Sequence, residues 1–181
     1  IQLNLKLLGK IPTIVENNAF IRLNKSVHTI SELHENLTIL LQEETFKMQI
    51  VNLFDIVEDV VQIQKTIYQN INFDIENSTF KAKINPHAMK QILQNIISNA
   101  CKYSSQNDYI KIYNKNNSLY IQDSGKGIKE PEKIFERSYS EEHSSGIGLD
   151  IVKRLSYAMN IAVEVNSSEQ GSCFILRFNY D

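Results

Sequence analysis

The chain has 181 residues, 42% of them hydrophobic and 22% charged, with a formal net charge of −2. That length and composition fit one medium domain, or one domain with a small appendage, and the charge balance supplies no bulk basic field for nucleic acid or an anionic membrane. No apolar run spans a bilayer, no signal peptide is evident, and two cysteines (Cys101 and Cys173) make no disulfide framework, which fits a reducing cytoplasm.

The chain opens at Ile1 inside a helix-like apolar pattern, which reads as part of a longer protein. Residues 1–8 have the character of a helix end, with Gly9 suited to a helix C-terminus and Pro12 to the first turn of the next helix. From there Phe20, Leu23, Val27, Ile30, His34, Leu37 and Leu41 recur at alternating three- and four-residue spacing. This is the seam of a coiled coil or bundle, so residues 1–45 are expected to form a partial helical hairpin that dimerises as a four-helix bundle.

Residues 46–181 change character. Met48 to Leu53 reads as a strand, and Asn52 or Asp55 can start a helix carrying Val57, Val60, Val61, Ile63 and Ile67. Ile71 to Ile75 and Phe80 to Ile84 alternate as strands do, and Asn85-Pro86 pairs a cap with a first-turn proline for a helix ending near Ser104. Tyr109–Tyr113 and Leu119–Gln122 form a hairpin around Asn116-Asn117. A loop is expected from Asp123 to Ser145 and a helix from Gly146 to about Asn160. Two last strands, Ile161–Val165 and Cys173–Phe178, join through Glu169-Gln170-Gly171. Hairpin-linked strands interspersed with three helices predict an α+β fold, a mixed sheet covered on one face.

Three segments could carry chemistry. Asn95 and Asn99, four apart, share one helix face, and Lys102 follows within a turn. That face offers amide oxygens to a hard cation and an ammonium to phosphate, which suggests a nucleotide site without a Walker P-loop. Asp123-Ser124-Gly125-Lys126-Gly127-Ile128 follows a strand directly. A carboxylate there can accept from an exocyclic amine such as that of adenine, and glycines allow close approach, although the same pattern is also an ordinary turn. Gly146-Ile147-Gly148-Leu149 leads into a helix whose free amides favour phosphate, although glycines also simply begin helices.

Taken in order, these segments resemble the boxes of the ATP-binding domain of sensor histidine kinases, in the superfamily shared with DNA gyrase B and MutL. Asn95 to Ser104 resembles the N box and Asp123 to Ile128 the G1 box; Ile134-Phe135-Glu136-Arg137 resembles the F box and Gly146 to Lys153 the G2 box. The resemblance covers roughly residues 46–181 and implies a two-layer α/β sandwich of the Bergerat type. It implies that Asn99 binds Mg²⁺, supported by Asn95, that Lys102 reaches the phosphates and that Tyr103 lines the pocket. Asp123 would read the adenine amino group, with Gly125, Gly127 and Ile128 shaping the pocket and lid start. Phe135 would anchor the lid, and Gly146, Ile147, Gly148 and Leu149 would surround the phosphates. The implied activity is transfer of the γ-phosphoryl group of ATP to a histidine, for relay to a response-regulator receiver domain. The implied setting is a homodimer whose cytoplasmic portion this is, membrane-anchored when whole. A nucleotide-binding scaffold without transfer, or a related serine kinase or ATPase, is the alternative.

Two departures stand out. The family's lid often carries an arginine after the aromatic, whereas Tyr139 is followed by Ser140, and Ser144 replaces the first glycine of the usual G2 spelling. The His34-Glu35 pair sits at a seam position without the proline of the family's phosphoacceptor box, so the acceptor is expected upstream of Ile1 and His34 is read as structural.

Overall fold

The structure, a computed structural model, describes residues 22, 23, 26, 30, 46–76, 78–105, 108–135 and 147–179. Two compact units are present, Ile1–Phe46 and Lys47–Asp181. In the first, Arg22, Leu23, Ser26 and Ile30 are helical and Phe46 lies outside any helix or strand, and the Ser26 hydroxyl donates to the Arg22 carbonyl at 2.9 Å. The rest of the expected hairpin, His34 included, lies outside the described residues, as do Glu136, Arg137, Tyr139, Ser140, Ser144 and Gly146.

The second unit runs β1 (Gln49–Asn52), α1 (Leu53–Ile67), β2 (Asn72–Ile75), β3 (Lys81–Ile84) and α2 (Pro86–Tyr103). It continues with β4 (Tyr109–Lys115), β5 (Ser118–Asp123), α3 (Ile147–Ala158), β6 (Ile161–Ser168) and β7 (Gly171–Phe178). Five strands make one sheet in the order β2-β4-β5-β7-β6, with β2 parallel to β4 and the other pairs antiparallel. The fold is α+β, with a mixed sheet and three helices, as the alternation of elements predicts.

Local chemistry explains most boundaries. Asn85 caps α2, its side chain accepting from the Ala88 amide at 2.9 Å, and Pro86 needs no donor in the first turn. Asn116 and Asn117 sit at φ of 49° and 55°, the pair of left-handed residues that a two-residue hairpin turn requires. Asn160 at φ 57° ends the turn after α3. Asn52 precedes α1 without capping it. Its side chain instead donates to Asp55 at 2.7 Å and accepts from the Phe80 amide at 3.1 Å, tying β1 to the segment before β3. These two strands form a separate antiparallel pair, Gln49 opposite Ile84, beside the main sheet.

The core lies between the helices and one face of the sheet. Ile110, Ile112, Leu119, Ile121, Phe174 and Leu176 project from that face, and Met89, Ile92, Leu93, Ile96 and Ile97 of α2 are fully buried. Each such side chain contributes about 1.5–3 kcal/mol by leaving water, so the apolar period of α2 fixes its rotation. The polar positions Asn95 and Asn99 therefore fall on the half-buried side. On the other face Tyr113 and Tyr120, paired in register, stack with centroids 4.9 Å apart. No helix among the described residues is long and apolar enough to cross a membrane.

Candidate functional site

Three stretches far apart in sequence meet around the C-terminal half of α2. The Asn95 amide nitrogen donates to the Gln91 carbonyl one turn earlier at 2.9 Å, which orients the side chain and turns its oxygen outward. That oxygen faces the first turn of α3: a Cβ added at Gly148 would lie 2.7 Å from Asn95 Oδ1. The Asn99 side chain, also half-buried, makes no hydrogen bond among the described residues. Free amides at a helix start and adjacent amide oxygens suit an anion with its counter-cation. Among the described residues no cluster of three His, Cys, Asp or Glu side chains could hold a metal; amide oxygens such as those of Asn95 and Asn99 are of the donor type that hard cations take.

At the end of α2, Lys102 Nζ stands 5.0 Å from the Tyr103 ring centroid and 3.4 Å from its hydroxyl. Lys126, from the loop after β5, lies 5.6 Å from the same centroid. The two cations thus border one half-buried aromatic side chain.

The other side is built around Asp123. Its register opposite Ile110 puts it on the core face at the end of β5, where it is 8% exposed. Oδ1 accepts from the Gly125 amide at 2.9 Å and the Ser172 amide at 3.2 Å, so Oδ2 is the atom available to a ligand's donor. Burial pushes the Asp123 pKa above the ordinary carboxylate value, and the two amides oppose that shift without cancelling it. Gly125 is required by close packing, since a Cβ there would meet the Tyr103 carbonyl oxygen at 2.8 Å. Gly127 adopts φ +73°, and a Cβ would fall 1.9 Å from the Ser168 carbonyl oxygen. The Ile128 amide donates to Ser167 Oγ at 2.7 Å.

The remaining expected residues are placed as follows. Phe135 is half-buried at the end of a turn segment, next to the buried Ile134. Ile147, Gly148 and Leu149 form the first turn of α3, while Gly146 lies outside the described residues. Asn95, Tyr103, Asp123, Gly125 and Gly148 are brought together by the contacts above. Sequence reasoning missed the β6–β7 turn, whose Ser167, Ser168, Gly171 and Ser172 pack directly on the Asp123 loop. The Ser-Ser and Gly-Ser pairs flanking a turn were the available signal. Cys101 and Cys173 take no part: burial pushes their thiols up to about 12 and about 11.

The family model described as "Histidine kinase-, DNA gyrase B-, and HSP90-like ATPase" matches residues 84–181, which include every feature just described. The chain belongs to this family. Within this ATPase family its relatives are sensor histidine kinases. It is 30% identical over 180 residues to the sensor histidine kinase YcbM of Bacillus subtilis (strain 168), covering 90% of this chain and 55% of that protein. The chain thus spans about half the length of that relative. Among solved structures, the Acinetobacter baumannii histidine kinase AdeS aligns at a TM-score of 0.71 and 18% identity, over 98% of this chain and 93% of that one. Full-length ShkA, solved in complex with AMPPNP, aligns at a TM-score of 0.68 and 19% identity, over 98% of this chain and 42% of that one. The ATPase-family domain of this chain is a catalytic domain of the sensor histidine kinase type.

Proposed function

We propose that residues 46–181 bind Mg-ATP and present its γ-phosphate to a histidine of the dimerisation helices, from which a response-regulator aspartate takes it. The observation that carries the reading is the meeting of Asn95 with Gly148 and of Tyr103 with Gly125, which joins a phosphate-suited helix start to a buried carboxylate. Asp123 Oδ2 accepts from the adenine amino group, and Gly125 and Gly127 let the backbone approach the base. Asn99 and Asn95 offer oxygens to Mg²⁺, Lys102 pairs with phosphate, Tyr103 lines the pocket and the first turn of α3 supplies amides. Mg²⁺, when bound, neutralises phosphate charge; the protein's part is positioning and electrostatics, which is what phosphoryl transfer chiefly needs. Ile128 stands at the start of the lid and Phe135 anchors it, with Gly146 and Ile147 at its far end.

Residues 1–45 serve in this reading as part of the dimerisation hairpin. Leu23 and Ile30, two positions of the apolar seam, are 52% and 64% exposed, which supports burial against a second copy. The full protein would hold this portion on the cytoplasmic side of a membrane. Incubating the full-length protein with γ-labelled ATP tests the reading; an acid-labile, base-stable label on histidine is expected. Ser140, where the family often has a lid arginine, favours a second reading as a nucleotide-binding scaffold. Normal nucleotide binding without label would support that second reading.

A further inference from the structure

The β6–β7 turn touches the proposed site at three points. Ser167 and Ser172 face each other across the two strands, and their hydroxyls lie 2.9 Å apart. Ser167 Oγ accepts from the Ile128 amide at 2.7 Å and is also 3.4 Å from the Gly171 carbonyl oxygen. The Ser172 amide donates to Asp123 Oδ1 at 3.2 Å. The loop itself lies on the turn without spare room. A Cβ at Gly127 would come within 1.9 Å of the Ser168 carbonyl oxygen and 3.1 Å of Ser167 Oγ, and one at Gly171 (φ +126°) within 2.1 Å of the Asp123 carbonyl oxygen.

A serine hydroxyl has one proton and two lone pairs. Ser167 spends a lone pair on Ile128 and its remaining capacity on Ser172 or Gly171. It thus joins the loop beyond Gly127 to the strand whose amide holds Asp123. Ile128 is where the chain leaves this platform toward Phe135 and the residues beyond. From this we infer that Ser167 is a positioning residue of the nucleotide site: its hydroxyl pins the Ile128 amide and, through Ser172, locks the base-reading loop and the start of the lid into one arrangement. The inference rests on the nucleotide reading above. Ser167 itself touches no ligand in this account. It acts by limiting the conformations from which binding must select, and a fixed loop pays less ordering cost when a ligand arrives.

The test compares wild type with Ser167→Ala, Ser167→Cys and Ser167→Thr. Titration calorimetry with Mg-ADP gives affinity, and amide hydrogen exchange by NMR on the nucleotide-free protein gives local opening. Loss of one such hydrogen bond should weaken Mg-ADP binding about five- to tenfold in the Ala and Cys variants. Exchange should quicken at Ile128 and its loop but not across the β-sheet, and Thr, which keeps the hydroxyl, should restore both. A general loss of stability would instead raise exchange throughout. If the Ala variant does not fold, the near-isosteric Cys variant carries the comparison. Wild-type binding with unchanged affinity and unchanged Ile128 exchange in the variants would overturn the role of Ser167 and leave the nucleotide reading standing. A wild type that binds no adenine nucleotide would overturn the nucleotide reading, and the positioning role with it.

Discussion

Gly148 and Asn95 are in contact across two helices: a methyl group on Gly148 would sit 2.7 Å from the Asn95 side-chain oxygen. The neighbour is the far end of a side chain rather than backbone, so Asn95 can yield, at the expense of its orientation. Gly148→Ala should therefore leave the fold intact, and the better helix former adds up to about 1 kcal/mol to α3. The displaced amide oxygen should nevertheless weaken Mg-nucleotide binding about tenfold, the size of one polar contact to a charged group. Thermal unfolding together with ADP titration, with and without Mg²⁺, checks this; a stable variant with unaltered Mg²⁺ dependence would sink the assignment of Asn95.

Asp123 makes a pH prediction. Its pKa is raised by burial, so the native state holds this proton at a pH where the unfolded chain has already lost it. Stability from this group is thus present below the unfolded pKa and declines as pH rises through the folded one. Binding runs the other way, since the ionised carboxylate is the acceptor the adenine amine needs. ADP affinity should fall on acidification at a pH above the ordinary aspartate value. In Asp123→Asn that step should vanish, with little loss of stability at neutral pH. An acid limb that persists in the Asn variant would assign the step elsewhere.

Gly127 tests the packing of the loop on the β6–β7 turn. Alanine there must hold φ +73° and push on the Ser168 backbone, which cannot swing away as a side chain can. Gly127→Ala should cost at least about 2 kcal/mol, from a left-handed conformation compounded by a backbone clash. Denaturant unfolding measures it, and a loss under about 0.5 kcal/mol would mean that the loop does not sit on the turn.

Thiol chemistry offers a control. With pKa values raised to about 12 and about 11, Cys101 and Cys173 stay protonated at neutral pH. Alkylation by iodoacetamide should be slow for the folded protein and rise on unfolding, and nucleotide should hardly alter it. Rapid labelling of native Cys173 would contradict the raised pKa of its half-buried thiol.

The parts of this fold that could be read from sequence are those decided locally. The Asn85-Pro86 start and the apolar period through Ile97 set both the extent and the rotation of α2, and with them the outward face of Asn95 and Asn99. Asn116-Asn117 could only be a tight turn. Reading failed where partners are distant. The alternation in residues 80–84 says which side chains share a face, not that β3 pairs with β1 rather than joining the main sheet. The strands β6 and β7 run three and two residues beyond the expected ends, to Ser168 and back to Gly171. Polar Asn166, Ser167 and Ser168 break the apolar pattern there, and hydrogen bonds rather than hydrophobic burial hold the extension. For the same reason the turn's part in the site was hidden: Ser167 meets Ile128 across 39 residues and Ser172 meets Asp123 across 49.

The measurement that bears most directly on the site is calorimetric titration of the chain with ADP and GDP, each with Mg²⁺ and with EDTA, on wild type and Asp123→Asn. One saturable site for ADP is expected, strengthened by Mg²⁺, with no comparable binding of GDP and ADP binding weakened about tenfold, yet still measurable, in the Asn variant. Equal binding of both bases, or an Asn variant that binds ADP as wild type does, would contradict the placement of adenine on Asp123 and of phosphate beside Asn95 and Gly148.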